Sequence, residues 1–407
     1  MVSIEEAQRT ILEQISPLET EKVSVFQGLN RVTPEDHIAP WDIPPADNSA
    51  MDGFAFSHAG MADNSLRVTG FLPAGEVHDV PVPPGEAIKI MTGAPVPPSC
   101  DTVVPIEDVV EEGDRIRLRA PVKAGAHVRR RGEDIASGDV VIKSGSLLRP
   151  QEIGMLSAMG STSLAVYRRA RVAILSTGDE LLEPGSTPMP GKLINSNSYS
   201  LAAQVLDAGG DPLLLGIAAD TLEATCEKIK AGLNADMLVI TGGVSVGDRD
   251  YVKAAIEAMG GEVTFWKVNM KPGKPLAFAM LDGKPIFALP GNPVAAMVSF
   301  ELFVRPSILK AMGHRRIFRP QVKALLKEPA SNKGNRPHLV RGIVSLDNER
   351  HYVSTTGNQS SGRLSSLILG NGLMKLAPES SLAAGDEVEV ILLDRGFEMG
   401  CADHGAA

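Results

Sequence analysis

The sequence predicts a multidomain α/β plus β protein, with a central doubly wound, mainly parallel α/β domain between a β-rich N-terminal half and a small C-terminal β domain. Three observations lead there. Apolar runs alternate with amphipathic helical patterns from Arg171 to about Met312, the signature of strands covered by helices on both faces. Short alternating runs separated by Pro-Gly, Ala-Gly and Ser-Gly turns fill the stretch from about Val23 to Leu148. The chain has 407 residues, so at roughly 100–200 residues per domain it holds two to four cores.

The N-terminus reads as a helix, with Ser3 and Glu6 as a capping box and Ile4, Ala7, Ile11, Leu12 and Ile15 on one face. Runs such as Thr102 to Ile106 and Ile116 to Leu118 are strands of the β half, and a second helix runs from Pro150 to Met159 and stops at Gly160. These pieces make an N-terminal region of residues 1–168, β-rich over about 23–148. Residues 169–315 form the α/β domain. Its strands lie at Val172 to Leu175, Leu213 to Leu215, Met237 to Ile240 and Ile286 to Leu289, with a further pair before the last. Helices follow near Tyr199 to Leu206, Thr221 to Ala231, Tyr251 to Met259 and from Val294. Residues 316–407 return to short strands and read as a barrel-like C-terminal domain.

Composition narrows the function classes. Hydrophobic residues are 43% and charged residues 22% of the chain, as in ordinary globular proteins, and the formal charge of −9 gives no broad basic footprint for nucleic acid. No run approaches the ~18 apolar residues of a membrane span, and Glu5, Glu6 and Glu13 at the start argue against a signal peptide. A cytoplasmic protein with no nucleic-acid or membrane partner is the expectation. Cys100, Cys226 and Cys401 lie far apart, so neither a disulfide framework nor a cysteine zinc site is expected. A metal acting here needs oxygen ligands.

Those oxygens are concentrated after the α/β strands. Ser176-Thr177-Gly178-Asp179-Glu180 follows the first, Asp220 the second, and Thr241-Gly242-Gly243-Val244-Ser245-Val246-Gly247-Asp248-Arg249-Asp250 the third. Loops at the carboxyl ends of such strands converge on a ligand crevice. Glu180, Asp220 and Asp250 are therefore candidates to hold Mg²⁺ with water and phosphate oxygens, although Asp220, with Glu223 three residues on, equally reads as a helix N-cap. Gly242, Gly243 and Ser245 belong to a run small enough for backbone N–H groups to approach an anion; a tight turn before a helix is the simpler explanation, but the run's position at the third strand end tips the balance toward binding.

Lys267, Lys271 and Lys274 stand in one short loop shaped by Pro272, Gly273 and Pro275, which favours a positioned oxyanion pocket over an idle charged surface. Pro290 and Asn292 lie in Leu289-Pro290-Gly291-Asn292-Pro293, a turn feeding a helix with Asn292 at its N-cap and Pro293 at N1. In the β half, Ser49 to Ala55 and Ile90 to Pro95 are acid- and hydroxyl-bearing turns. Arg129 to Arg131 beside Glu133 and Asp134 read first as a self-neutralised surface network and second as an anion clamp.

Taken together, Ser49 to Ala55, Met91 to Pro95, Arg129 to Asp134, Ser176 to Leu181, Gly242 to Tyr251, Lys271 to Pro275 and Leu289 to Val294 resemble the molybdopterin molybdenumtransferase family, the MoeA proteins and the C-terminal region of gephyrin. The likeness covers nearly the whole chain. It implies a molybdopterin-binding α/β domain in an enzyme that takes adenylylated molybdopterin and molybdate. With Mg²⁺ the enzyme would cleave the phosphoanhydride, release AMP and leave molybdenum on the dithiolene. It implies an acidic, metal-linked site at Glu180, Asp220 and Asp250, lysines 267, 271 and 274 facing phosphate or molybdate oxygens, and Asp52, Thr92 and Asp134 completing the cleft of a partner subunit in a homodimer. His338 to Gly342 and Gly357 to Ser361 resemble the segments that supply an anion-binding arginine and serine, here Arg341 and Ser361.

Two positions depart from the usual family pattern, Ala295 where many members have serine and Gly362 where many have histidine. A hydroxyl missing at Ala295 removes a hydrogen bond of about 0.5–1.5 kcal/mol to a neutral partner. The related molybdopterin adenylyltransferase, a candidate for transient contact, is a competing reading, but it carries Gly-Gly-Thr-Gly where this chain has Gly-Gly-Val-Ser-Val-Gly. A receptor scaffold like gephyrin is the other, and the retained acids and lysines favour catalysis over it.

Overall fold

A computed structural model describes residues 1–244 and 251–393. The chain opens with helix α1 (Ile4–Glu13), whose start is fixed as expected: Ser3 Oγ accepts from the Glu6 amide while Glu6 Oε2 accepts from the Ser3 amide. The chain then divides into two compact units.

One unit comprises residues 23–29 and 35–164. Its centre is a six-stranded sheet of β1 (Gly53–Phe56), β2 (Ser65–Leu72), β3 (Glu86–Ile90), β4 (Thr102–Pro105), β5 (Val109–Glu112) and β6 (Arg115–Leu118), in the order β4-β1-β3-β2-β6-β5. Only β2 and β3 run parallel; the other pairs are antiparallel. The period-two pattern of β1 separates two small cores, Phe54 and Phe56 packing with Leu66 and Ile116, and Ala55 with Leu72 and Ile88. The unit also contains helix α2 (Pro150–Ala158), with Pro150 in its first turn.

The second unit holds α1 with the α/β and C-terminal domains. The α/β sheet contains β7 (Arg171–Thr177), β8 (Asp211–Ala218), β9 (Met237–Thr241), β10 (Glu262–Phe265), β11 (Ala277–Leu281) and β12 (Lys284–Leu289), ordered β8-β7-β9-β12-β11-β10. Strands β8, β7, β9 and β12 are parallel, and β11 and β10 extend the sheet antiparallel. The chain passes from β7 to β8 on one side and then to β9 on the other, so a switch point lies between β7 and β9. Side chains alternate into two cores: Val172, Ile174, Met237 and Val239 face one side, and Ala173, Leu175, Leu238 and Ile240 the other.

Helices α3 (Asn197–Asp207), α4 (Leu222–Gly232) and α5 (Tyr251–Ala258) follow β7, β8 and β9, with ends within two or three residues of the sequence reading. Helix α6 (Pro293–Ser299) passes through a π-helical stretch, Phe300–Val304, into α7 (Arg305–Ala311). These helices and the apolar face of α1 contribute to the first core. Beyond them, β13 (Gln321–Leu326), β14 (His338–Asp347), β15 (Arg350–Thr355), β16 (Gly372–Leu376) and β17 (Glu387–Leu392) close a barrel filled by Ala324, Val340, Val353, Met374 and Val390. No helix among the described residues is long and apolar enough to cross a membrane.

Candidate functional site

Four loops at the carboxyl ends of β7, β8, β9 and β12 surround a cavity of about 470 Å³. Its wall includes Thr177, Glu180, Asp220, Gly242, Gly243 and Asn292. Two carboxylates and no lysine or arginine line it among the described residues. Glu180 is exposed and Asp220 half-buried.

Asp220 is not the N-cap of α4. That role falls to Thr221, whose hydroxyl accepts from the Ala224 amide. Asp220 instead turns to the neighbouring loop, where its Oδ2 accepts from the Asp179 amide at 3.3 Å while its own amide donates to Asp179 Oδ1 at 3.1 Å. This exchange ties the loop after β7 to the loop after β8.

The third loop meets the first through its glycines. Gly242 and Gly243 have φ of +94° and +62°, and an added Cβ would stand 2.6 Å from the Thr177 carbonyl and 2.8 Å from Thr177 Oγ1, respectively. Asn197 holds the fourth loop: its Nδ2 donates to Thr241 Oγ1 at 2.9 Å and to the Gly291 carbonyl at 2.8 Å, and Thr241 Oγ1 donates to the Pro290 carbonyl. Asn292 occupies the N-cap position of α6 without a side-chain cap bond, and Pro293 follows in the first turn.

A second cavity of about 610 Å³ shares Pro275, Pro290 and Asn292 with the first. Its charge is opposite. Lys271, Lys274 and Arg336 line it, together with Ser361 and Ala295, and among the described residues no carboxylate does. The lysine loop is anchored by backbone bonds to the segment entering β14: the Lys271 amide donates to the Pro337 carbonyl at 2.9 Å and the Leu339 amide to the Lys271 carbonyl at 2.7 Å. Gly273 turns the loop at φ +101°, where an added Cβ would stand 2.5 Å from Met270 Cε and 2.8 Å from Ser299 Oγ.

Lys267 is half-buried and lines neither cavity. Arg341, expected to face an anion, is fully buried and is not on the wall. Its Nε donates to Ser366 Oγ at 3.1 Å, its Nη2 to the Ser360 carbonyl at 3.1 Å, and its amide to Gln359 Oε1 at 2.8 Å, so it braces the turn that presents Ser361. Burial lowers its guanidinium to about 10. His338, also buried, is lowered to about 4 by burial and by the nearby charges of Lys271, Arg341 and Arg336.

Asp52, Thr92 and Asp134 lie in the other compact unit. Asp52 Oδ1 accepts from both the amide and the hydroxyl of Thr92, each at 2.7 Å, and these bonds, the amide's first, hold the Asp52 carboxyl below its usual range. Asp134 is exposed, and its amide donates to the Ile43 carbonyl. The neighbouring arginines are neutralised at longer range than the sequence implied: Arg130 pairs with Asp47 at 2.6 Å and Arg131 with Asp42. Ser245 and Asp250 fall outside the described residues.

Sequence reasoning missed Arg336, Asn197 and Asp179. Arg336 sits in a short Gly-Asn-Arg-Pro turn with no charge pattern to mark it, and Asn197 belongs to an Asn-Ser run that reads as helix-start chemistry. Among the described residues Cys100 and Cys226 are free, and burial pushes the Cys100 thiol up to about 11.

Comparison with known proteins agrees with this architecture along the chain. The family described as MoeA N-terminal region (domain I and II) matches residues 2–160, that described as Probable molybdopterin binding domain matches 173–310, and that described as MoeA C-terminal region (domain IV) matches 323–393. The chain is 36% identical over 404 residues to Molybdopterin molybdenumtransferase 2 of Mycobacterium tuberculosis, covering 96% of this chain and 99% of that protein. It is 34% identical to Molybdopterin molybdenumtransferase of Haemophilus influenzae, covering 96% and 98%. The crystal structure of the molybdopterin biosynthesis MoeA protein from Pyrococcus horikoshii OT3 matches with a TM-score of 0.82 at 30% identity, covering 96% of this chain and all of that one.

Proposed function

The chain belongs to the molybdopterin molybdenumtransferase family and is a transferase of molybdenum cofactor biosynthesis, and from that premise we propose that it inserts molybdate into adenylylated molybdopterin with Mg²⁺-dependent phosphoanhydride cleavage and release of AMP. The observation that carries the reading is the adjacency of an acid-lined cavity and a base-lined cavity sharing Pro275, Pro290 and Asn292. A substrate bearing phosphates needs a cation at one end, and an oxyanion needs fixed positive charge at the other.

Glu180 and Asp220 fit Mg²⁺, since both are hard oxygen donors on one cavity wall and such an ion takes one or two carboxylates and completes its shell with water and phosphate oxygens. Asp250 is proposed as a third acid of this site. When bound, the ion would polarise the phosphoryl oxygens. The rest falls to the chain's own groups. The amides near Gly242 and Gly243 approach the phosphates, Asp179 keeps Asp220 in place, and Lys271, Lys274 and Ser361 orient the oxyanion against developing charge. Asp52, Thr92, Asp134 and Lys267 are proposed to act in the same reaction.

AMP release from adenylylated molybdopterin, with Mg²⁺ present and with molybdate, tungstate or no oxyanion, tests the proposal. Oxyanion-dependent release is expected. Release indifferent to both oxyanion and chelator would overturn it. A homodimer and transient contact with molybdopterin adenylyltransferase belong to the same reading. Sedimentation tests the first, and recovery of activity on mixing Asp52→Ala with Glu180→Ala chains tests whether two copies share a site.

A further inference from the structure

We propose that Asn197 is a positioning residue of the reaction, whose side-chain amide latches the turn after β12 to the end of β9 and so sets the partition between the two cavities. The inference rests on the proposed function and deepens it by naming what holds that partition in register.

Asn197 opens α3, where Ser196 takes the N-cap position without a side-chain bond. Its own side chain reaches across the fold, with Nδ2 donating to Thr241 Oγ1 at 2.9 Å and to the Gly291 carbonyl at 2.8 Å. A carbonyl only accepts, so the nitrogen end of the amide must face Gly291. Thr241 carries the chain of bonds on to the Pro290 carbonyl at 3.0 Å. One amide thus grips two successive carbonyls of the turn, one directly and one through a hydroxyl. Pro290 and Asn292, on either side of Gly291, face both cavities.

The latch has a fixed base. At the end of β7, Ser176 Oγ donates to Asn195 Oδ1 at 3.0 Å and meets Ser198 Oγ at 2.8 Å, and Asn195 Nδ2 donates to Ser198 Oγ at 3.0 Å, all of them buried. The start of α3 is therefore pinned to β7, and Asn197 extends that anchor to the ends of β9 and β12.

Burial separates this role from substrate contact. Asn197 stands on the wall of the acid-lined cavity, but its Nδ2 is committed to the protein and its Oδ1 is buried without a partner among the described residues. An unmet buried acceptor costs stability, and packing alone is better served by an apolar side chain of this size. The two donated bonds are what the position requires.

Steady-state AMP release by the full chain, with Mg²⁺ and saturating molybdate and well below the melting temperature, tests the assignment. For Asn197→Ala we expect kcat to fall about tenfold or more while KM for adenylylated molybdopterin stays within about threefold, because a displaced turn misaligns reacting groups without removing a substrate contact. Asn197→Asp keeps the shape but sets a carboxylate against the Gly291 carbonyl, and it should be slower still. Thr241→Val breaks the relay to Pro290 and should also lower kcat, whereas Thr241→Ser keeps the hydroxyl and should stay near wild type. Added to Asn197→Ala, Thr241→Val should cost little more, since both break one latch. The Thr241 pair serves as the measurement if neither Asn197 variant folds. Folded Asn197→Ala and Thr241→Val chains with kcat within about twofold of wild type, whatever their melting temperatures, would make the latch structural only and overturn the proposal while the proposed function stands. Losses that add in full would overturn it equally. A wild-type chain with no oxyanion-dependent AMP release would remove both.

Discussion

Asp179 and Asp220 exchange backbone-to-carboxylate hydrogen bonds across the ends of two neighbouring parallel strands, at 3.1 and 3.3 Å. The pair fixes the spacing of two loops that carry the cavity's acids. Asp179→Ala removes one acceptor and should cost about 0.5–1.5 kcal/mol of loop positioning, seen as a several-fold drop in the rate of AMP release. Asp179→Asn keeps the Oδ1 acceptor and should stay near wild type. Equal rates for both variants would show that the clasp does not matter to the reaction.

Glu180→Gln and Asp220→Asn should each raise the Mg²⁺ concentration needed for half-maximal AMP release by roughly tenfold or more, the scale of a lost charged contact of about 1.5–3 kcal/mol. Folding should be unaffected, because both side chains lie on open loops at strand ends. A metal titration of the two variants measures this directly, and an unchanged midpoint would take that carboxylate out of the metal site.

Thr92→Val removes the hydroxyl donor to Asp52 and leaves the amide donor in place. The Asp52 carboxyl should then titrate closer to its ordinary value without reaching it, since the amide bond is the larger cause of its depression. Carboxyl-resolved NMR titration reads the shift, and a titration unmoved from wild type would assign the whole effect to the backbone.

Gly273→Ala should destabilise the protein by about 1–3 kcal/mol, because alanine is strained at φ +101° and its Cβ has no room between Met270 and Ser299. Displacing this turn also moves Lys271 and Lys274. Denaturant unfolding and oxyanion affinity should therefore change together, and a variant weakened in stability alone would separate the loop's fold from its binding role.

His338 sets an acid limit on stability. Its folded value of about 4 lies below the ordinary 6.5, so the stabilisation associated with the neutral ring is complete above pH 6.5 and is lost as pH falls towards 4. The charged ring would face Lys271, Arg336 and Arg341 in a buried position, a cost of order 3 kcal/mol across that window. His338→Gln should lose this part of the pH dependence, and wild-type and variant stability curves of the same shape between pH 7 and 4 would refute the assignment.

Local pattern determined a great deal here. Strand and helix identity followed from apolar periodicity, the α1 start from Ser3 and Glu6, and the rim of the α/β sheet from the rule that loops after parallel strands gather at one edge. That is why Glu180, Asp220, Gly242 and Gly243 could be grouped before any coordinates. The partners that packing selects were not legible. Thr221 displaced Asp220 as the cap because the free carboxylate met Asp179 on the next loop, and Arg130 and Arg131 met Asp47 and Asp42 rather than their sequence neighbours. Arg336 and Arg341 show the same dependence: five residues along one chain segment separate a cavity-lining guanidinium from a buried one, a difference set by the pairing of β14 with the lysine loop. Periodicity is a property of neighbours in sequence and is readable from it, whereas which charge meets which across the fold depends on contacts between segments far apart in the chain.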